Sequence, residues 1–218
     1  MRRSFTLAAA FILALATAVI AEEKPAAEEG FYPLFDGKTL NGWQGGTDGY
    51  EVKDGVLICK PKGSGNLYTD KEYGNFVFRF EFKLTPGANN GVGLRTPMQG
   101  DPAFVGMEIQ ILDDGHPRYK ELKEYQYHGS VYGVIAAKRG FLKPTGEWNS
   151  EEITLDGTKV KVVLNGETIV DGDFAEARDK GTIDGREHPG LKRDKGYIAF
   201  CGHGAHVEFR NIQIKELK

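Results

Sequence analysis

The stretch from Asn75 to Leu84 reads NFVFRFEFKL and sets the fold class of the chain. Its even positions hold four phenylalanines and a leucine, whereas the odd positions from 77 to 83 hold a valine and three charged residues. Side chains of a β-strand alternate between two faces, so this period-two pattern is typical of a strand with one face against a core. The stretch therefore predicts a half-buried strand.

Further strands and tight turns surround this one. Asp54-Gly55 in YEVKDGVLICK and Asn165-Gly166 in KVKVVLNGETIVDG are pairs that typically join two antiparallel strands. Only DDGHPRYKELKEYQY and DFAEARDKG could form helical turns, so we expect fewer than about one residue in ten to be helical. Many short strands with regular turns predict an all-β sandwich of two antiparallel sheets.

The last strand, in HVEFRNIQIKEL, changes its alternation part way along. Val207 and Phe209 are apolar at odd positions, but Ile212 and Ile214 are apolar at even ones. A slip of one residue would move every side chain to the opposite face, so an extra residue must be accommodated near Arg210. We predict a β-bulge at this point.

The N-terminal region has the composition of an export signal. Residues 1–21, MRRSFTLAAAFILALATAVIA, combine two arginines with a short apolar run and a cleavage point after Ala21. Residues 22–30 are predicted to form a flexible acidic tether, and residues 31–218 a single domain. We therefore expect a secreted or periplasmic protein.

Charge and cysteine content limit the possible partners. Without residues 1–21, 26 basic residues face 31 acidic ones, a net charge of −5. This balance argues against nucleic acid and against an anionic membrane surface as partners, and it says nothing about the oligomeric state. Cys59 and Cys201 could form a disulfide in an exported protein or could be two buried thiols.

A second alternating stretch, GMEIQILDDG at 106–115, contains side chains that could take part in catalysis or binding. Its odd positions are apolar, while Glu108 and Gln110 lie on the other face. Asp113 joins that face if a bulge follows Ile111, and otherwise it begins a turn at the rim. Asp113 and Asp114 could also bind a divalent cation through oxygen, although no cofactor is required by the sequence.

Several motifs in their order resemble one family. FYPLFDGKTLNGW, PGANNGVGLR, EIQILDD, GEWN, LNG and GHGAHVEFRNIQI are similar to those of the 3-keto-disaccharide hydrolase domain family of exported bacterial proteins. The resemblance covers residues 31–217 and implies a concanavalin A-like jelly-roll sandwich whose outer face binds sugar. Cys201 and Gly202 replace the Gln-Asp pair that is common in the family's closing motif, so any role of that Asp is absent here. The segments QYHGSVYGVIAAKRG, GEWN and EHPGLKR resemble a distinct branch, which leaves the identity of the substrate open.

The resemblance also implies a reaction. In a sugar oxidised at C3, a base removes the acidic C2 proton, the group at C1 is expelled, and water adds to the enone. The catalytic candidates are Glu108, His203 and His128. The substrate-binding candidates are Arg95, Gln110, Asp113, Tyr127 and Trp148. We expect Arg95, Glu108, Gln110 and His203 to share one face, with Arg95 as a cation for substrate or a partner of Glu108.

A non-catalytic carbohydrate-binding module is the alternative. Such a module needs aromatic platforms and hydrogen bonds, but it needs no base with a shifted pKa. The sequence does not identify the sugar or its linkage. The composition of the binding face therefore decides between the two classes.

Overall fold

The larger of two sheets is built around the phenylalanine-rich strand. The computed structural model describes residues 29–62 and 64–218, and within them eight antiparallel strands form this sheet. Strand β6 lies at its centre, between β9 and β13. Numbered along the chain, the strands of this sheet are β1 (Tyr32–Pro33), β3 (Tyr50–Lys53), β4 (Val56–Cys59), β6 (Phe76–Leu84), β9 (Trp148–Asp156), β10 (Lys159–Leu164), β11 (Glu167–Asp173) and β13 (Val207–Glu216).

The smaller sheet contains the strands that carry most of the candidate residues. Its order in the described part of the chain is β2-β5-β12-β7-β8, and all its pairings are antiparallel. Its strands are β2 (Trp43–Gly45), β5 (Ser64–Thr69), β7 (Asn89–Thr96), β8 (Met107–Leu112) and β12 (Tyr197–His203). The predicted sandwich of two antiparallel sheets is confirmed.

The core lies between the two sheets. The four phenylalanines of β6 are at most 2% exposed. Phe200 of β12 packs on Phe209 of β13 with ring centroids 4.1 Å apart, so the aromatic contacts join one sheet to the other. Each such side chain contributes about 1.5–3 kcal/mol by leaving water, which makes this aromatic layer a main source of stability.

The two predicted hairpin turns have the expected backbone. The dihedral angle φ is 51° at Asp54 and 80° at Gly55, and it is 52° at Asn165 and 89° at Gly166. Two successive positive φ values define the type I′ turn, whose twist matches that of the flanking strands. Asp or Asn followed by Gly is the sequence that tolerates this geometry.

The predicted bulge in the last strand is also confirmed. The register of β13 against β6 shifts between Arg210 and Gln213, and Asn211 has a φ of 52°. The extra residue lets Val207 and Phe209 before it, and the isoleucines after it, all face the core.

Helix is limited to short pieces in the described residues. The α-helices are α1 (Pro102–Val105) and α2 (Ala175–Lys180). Single 3-10 turns occur at Thr47–Gly49, Pro117–Tyr119, Glu124–Gln126 and Pro189–Lys192. The segment 113–128 holds no long helix, as expected.

Both cysteines are buried free thiols. Cys59 lies on β4 of the larger sheet and Cys201 on β12 of the smaller one. The buried-thiol alternative is therefore confirmed.

The predicted signal peptide and most of the predicted tether lie outside the described residues. Among the residues that are described, no helix has the length and apolar character needed to cross a membrane.

Long connections cover the outer face of the smaller sheet at its β8 edge. The backbone N–H of Gln110 donates to Ser130 O at 3.0 Å, and the N–H of Tyr132 donates to Glu108 O at 2.9 Å. The loop after β8 therefore returns along the free edge of that strand. Helix α1 packs against β7 and β8 on one side of the same region. These connections make a cleft on the face that carries Glu108.

Candidate functional site

Strand β8 divides its side chains as the sequence predicts. Met107, Ile109 and Ile111 are completely or almost completely buried in the core. Glu108 and Gln110 point to the outer face and line the cleft there. They are nevertheless only 5% and 6% exposed, so this part of the outer face is covered and not open to solvent.

Glu108 occupies space that a glycine provides. A Cβ atom at Gly91, on the neighbouring strand β7, would overlap the Glu108 carboxylate. Oε1 of Glu108 is buried and has no hydrogen-bond partner among the described residues. Burial raises the pKa of Glu108 above its ordinary value, because a carboxylate loses hydration when it is buried. The result is a buried carboxylate with a raised pKa on the face that carries the cleft.

His203 faces Glu108 from the end of β12. Its Nε2 atom lies 3.7 Å from Glu108 Oε1, and its side chain is 47% exposed. The Glu108 carboxylate raises the pKa of His203 above its usual range, and His203 in turn limits the rise in the pKa of Glu108. The two residues thus form one coupled pair of which the histidine contacts solvent.

The cleft around this pair has a volume of about 260 Å³. Its other charged lining residues are Asp101 and Arg186, and Gln110 adds an amide that donates to Asn89 Oδ1 at 3.3 Å. Asp101 is the N-cap of α1, where its side chain accepts from the Ala103 N–H at 3.1 Å. Charge and hydrogen-bonding groups therefore surround the buried carboxylate.

Arg186 is held in the cleft by a buried ion pair behind it. Its guanidinium lies 3.9 Å from the centroid of the Phe104 ring, and the backbone N–H of Arg186 donates to Asp184 Oδ1 at 3.0 Å. Oδ2 of Asp184 lies 3.1 Å from His188 Nε2, while His188 Nδ1 donates to Ala103 O at 3.0 Å. Asp184 and His188 thereby fasten the loop that carries Arg186 to helix α1.

Aromatic side chains complete the walls of the cleft. Phe104, Tyr119 and Tyr132 all line it. Tyr132 accepts a hydrogen bond from Gln126 at 2.9 Å, and Tyr119 donates to Gly87 O at 3.0 Å. Fixed aromatic rings beside polar groups are the usual composition of a sugar-binding site.

Arg95 does not belong to this cleft, and its predicted position is wrong. It has a φ of 48° near the end of β7, where the register against β12 also shifts. The side chain is turned away, and its guanidinium donates to Gly74 O and Gly157 O, each at 2.9 Å. Arg95 is 3% exposed and joins loops instead of contacting Glu108.

His128 and Tyr127 also lie elsewhere. His128 is 3% exposed and stacks on Phe82 with ring centroids 5.2 Å apart, so it belongs to the interior. Its predicted catalytic role has to be corrected for that reason. Tyr127 is 7% exposed, and the Arg139 guanidinium covers its ring at 3.6 Å, so the expected sugar contact is wrong as well.

Trp148 lies on the other sheet. It begins β9, and its ring is covered by the guanidinium of Arg210 at 4.1 Å and the amine of Lys83 at 4.8 Å. It lines no part of the cleft around Glu108. The prediction of a sugar platform at Trp148 is therefore wrong for this site.

Asp113 begins a turn, which was the second alternative for this residue. Its side chain accepts from the Gly87 N–H at 2.7 Å, and Asp114 lies 3.5 Å from the guanidinium of Arg139. Among residues 29–62 and 64–218, no three His, Cys, Asp or Glu side chains are grouped so that they could hold a metal ion. The predicted cation at Asp113 and Asp114 stays without support.

The sequence interpretation missed Asp101, Arg186 and the aromatic walls. All of them come from loops or the ends of short helices, where no periodicity marks a face. Asp101 followed by Pro102 is a recognisable helix start, and this was the one local signal available. No sequence pattern predicts the contact between Arg186 and Phe104.

Fold and cleft together define a carbohydrate-active hydrolase of the glycosidase type. The chain belongs to the 3-keto-alpha-glucoside-1,2-lyase-like domain family, whose sequence model matches residues 30–215. A 3-keto-disaccharide hydrolase of Bacteroides thetaiotaomicron is 28% identical to this chain, and the alignment covers 88% of this chain and 80% of the relative.

Solved structures are similar over nearly the whole domain. A candidate glycosyl hydrolase of Parabacteroides distasonis has a TM-score of 0.73 and 28% identity, with 87% of this chain and 95% of the other covered. A second such protein from the same organism has a TM-score of 0.72 and 30% identity, with coverages of 86% and 99%. The resemblance inferred from the sequence motifs is thus confirmed.

Proposed function

We propose that this protein is an exported hydrolase of 3-keto-disaccharides and related 3-keto-glycosides, and that it breaks the C1–O bond by elimination followed by hydration. The observation that carries the proposal is the pair of Glu108, a buried carboxylate that lines the cleft, and His203, whose Nε2 lies 3.7 Å from it. Family membership and the name of the Bacteroides relative support the substrate class.

The proposed first step is removal of the C2 proton by Glu108. The ketone at C3 makes this proton acidic, because the electrons left behind spread onto the ketone oxygen. A base works best when its pKa lies near the working pH, and burial moves the pKa of Glu108 in that direction. Strand β8 holds the carboxylate rigidly.

The negative charge that develops on the 3-keto oxygen needs a donor. The guanidinium of Arg186 and the amide of Gln110 both line the cleft beside Glu108. Donors fixed in advance stabilise such an oxyanion strongly, because they need not reorganise during the reaction. We assign this role to Arg186 and Gln110.

Incubation with 4-nitrophenyl 3-keto-glucoside in D₂O tests the proposal. Release of nitrophenol with one deuterium at C2 of the sugar is expected, because elimination and hydration replace the C2 proton from solvent. Both anomers are assayed, and a blank without protein corrects for spontaneous exchange. The unoxidised 4-nitrophenyl glucoside is the matched control and should stay intact.

Two outcomes would contradict the proposal. Release of nitrophenol without deuterium at C2, and without a kinetic isotope effect when C2 of the substrate carries deuterium, would show direct hydrolysis. Binding of the 3-keto-glycoside without any release would show a carbohydrate-binding module instead of an enzyme.

Export is tested separately on the full chain. Expression in a bacterium should place the protein in the periplasm or the medium, with an intact mass that corresponds to a start at Glu22. A cytoplasmic protein that retains residues 1–21 would contradict this part.

A further inference from the structure

A second cavity continues the cleft beyond His203. Its volume is about 310 Å³, and it lies between the segment around Gly87, the loop at Arg118 and the turn after β12. Asn89, Tyr119 and His203 line both cavities. The two cavities therefore meet at a boundary formed by these three side chains.

The groups on the two sides of this boundary differ. Glu108, Gln110 and Arg186 line the first cavity and not the second. Arg118 and Gly204 line the second cavity and not the first. The proposed base and oxyanion donors thus lie on one side only, while His203 has access to both.

We propose that the second cavity binds the leaving group of the substrate, a second hexose ring, and that His203 protonates the glycosidic oxygen. This inference rests on the function proposed above and extends it. A sugar whose C2 lies at Glu108 occupies the first cavity, so its C1 substituent has to cross the boundary where His203 stands.

The second cavity is built from firmly held parts. Tyr119 donates to Gly87 O at 3.0 Å, and Asp113 accepts from the Gly87 N–H at 2.7 Å, so both fix the same segment. Thr85 at the far wall donates to His206 O at 2.9 Å. A shape that exists before binding loses little entropy when a ring enters.

Arg118 gives this cavity its preference for a polar ring. Its guanidinium stands 5.1 Å from the centroid of the Tyr119 ring, and the residue is exposed. A guanidinium offers several N–H donors, which suit the hydroxyl groups of a hexose better than an apolar aglycone. The expected substrate is therefore a 3-keto-disaccharide.

In the proposed reaction, every proton and bond of the elimination and of the hydration is accounted for. Glu108 takes the C2 proton, the electrons of that C–H bond pass through the enolate to form the C1=C2 bond, and the C1–O bond breaks. His203 gives its Nε2 proton to the departing oxygen. In the hydration, water adds OH to C1 and returns its proton to His203, while Glu108 returns a proton to C2. The Glu108 carboxylate raises the pKa of His203, which favours the protonated form needed for the first half.

Leaving groups of different basicity test the role of His203. In His203→Asn, the kcat for methyl 3-keto-glucoside should fall by about 10²–10⁴-fold, the usual contribution of a general acid. The single-turnover rate of 4-nitrophenol release should change little, because nitrophenolate leaves without a proton and departs before the hydration step. An equal loss on both substrates would overturn the assignment of His203 as the acid.

Substitution of Arg118 tests the second cavity. Arg118→Ala should raise the KM for a 3-keto-disaccharide by about tenfold, which corresponds to about 1.4 kcal/mol. The KM for methyl 3-keto-glucoside, whose leaving group is too small to reach Arg118, should stay unchanged. Lys120→Ala, an exposed cation two residues away, is the matched control and should alter neither value.

The outcomes separate this inference from the proposed function. If the wild-type protein cleaves 3-keto-glycosides but Arg118→Ala shifts the KM for both substrates equally or for neither, the second cavity does not hold the leaving group. If the wild-type protein cleaves no 3-keto-glycoside, the proposed function itself fails.

Discussion

Two of the histidine–glutamate pairs among the described residues lie in opposite surroundings. On the outer face of the smaller sheet, His203 Nε2 lies 3.7 Å from Glu108 Oε1, and the two side chains are 47% and 6% exposed. Between the sheets, His128 Nε2 lies 3.1 Å from Glu151 Oε2, and the side chains are 2% and 0% exposed. The residue types are the same, but only the first pair meets solvent and a cleft.

The difference shows that access, not composition, separates a site from a core contact. His128 Nδ1 accepts from the Leu112 N–H at 3.2 Å, so its proton is on Nε2 and faces Glu151. Nδ1 is thereby hydrogen-bonded to the protein, and Nε2 is buried against the Glu151 carboxylate. Nε2 of His203 lies beside the Glu108 carboxylate, and the His203 side chain lines both cavities. The buried pair joins elements, whereas the outer pair can exchange protons with a ligand.

The largest expected effect comes from breaking the outer pair. Glu108→Gln keeps the shape of the side chain and removes its basicity, so kcat on a 3-keto-disaccharide should fall by about 10²–10⁴-fold. The free energy of unfolding at neutral pH should stay the same or increase, because a buried charge is removed. Steady-state kinetics and denaturant unfolding measure the two quantities. Glu121→Gln on an exposed loop is the control, and undiminished turnover in Glu108→Gln would remove Glu108 from the mechanism.

Breaking the inner pair should have the opposite signature. Glu151→Ala leaves the His128 Nε2 proton without its carboxylate, and loss of one partner of a buried pair costs about 3–5 kcal/mol of stability. The kcat per folded molecule should be unchanged, since neither residue lines the cleft. Thermal unfolding and active-site titration measure this.

A milder substitution at Glu151 provides a test if Glu151→Ala does not fold. Glu151→Gln can still accept from His128, so it should lower the unfolding free energy by less than Glu151→Ala does. If either variant loses turnover without losing stability, the inner pair takes part in the chemistry and the contrast between the two pairs is wrong.

The sequence predicted the outer pair better than the rest of the site. Alternation along β8 places Glu108 and Gln110 on the outer face, and this depends only on the period of a strand. His203 could be predicted because it lies between two glycines in the closing motif GHGAHVEFRNIQI, which resembles that of the family. His128 is also an imidazole that could transfer protons, but it lies outside any periodic stretch. Its burial depends on how the loop after β8 folds back, so the sequence does not predict it.

Backbone irregularity explains the error at Arg95. Alternation along β7 would place Arg95 on the same face as Gly91 and Gly93, next to Glu108. Its φ of 48° and the accompanying register shift turn the side chain away. A positive φ at a residue other than Gly, Asn or Asp is uncommon, so no sequence pattern signals it.

A smaller effect should follow from loosening the loop that carries Arg186. His188→Ala removes the contacts to Asp184 and Ala103, so Arg186 loses its fixed position. We expect the kcat for a 3-keto-glycoside to fall by about tenfold and the KM to rise by a smaller factor, because the developing oxyanion loses a fixed donor. Arg186→Ala removes the donor altogether and should lower kcat by about 10²–10³-fold.

A double-mutant cycle decides whether His188 acts through Arg186. If it does, the double variant should be no worse than Arg186→Ala alone, because the two effects are not independent. Additive effects would mean that His188 supports the site by another route, and an unchanged kcat in both single variants would remove Arg186 from the stabilisation of the oxyanion.

The smallest expected effect concerns the coupling within the outer pair, measured by pH. The folded protein raises the pKa of both Glu108 and His203 above their ordinary values. It therefore binds these protons more tightly than the unfolded chain does. The stability from this binding is complete below the unfolded pKa values, and it is lost as the pH rises through the folded ones. Relative to Glu108→Gln, the wild-type protein should thus become less stable over that rise.

The same variant should shift the titration of His203. The carboxylate of Glu108 is the main cause of the raised pKa of His203, so Glu108→Gln should lower that pKa. An NMR titration of the imidazole Cε1 proton measures the shift, with the His116 signal as internal reference. The alkaline limb of the pH–rate profile, which follows the loss of the His203 proton, should move to lower pH in the residual activity of the variant. An unchanged His203 titration would mean that 3.7 Å is too far for the two groups to act as a pair, and Glu108 would then have to work alone.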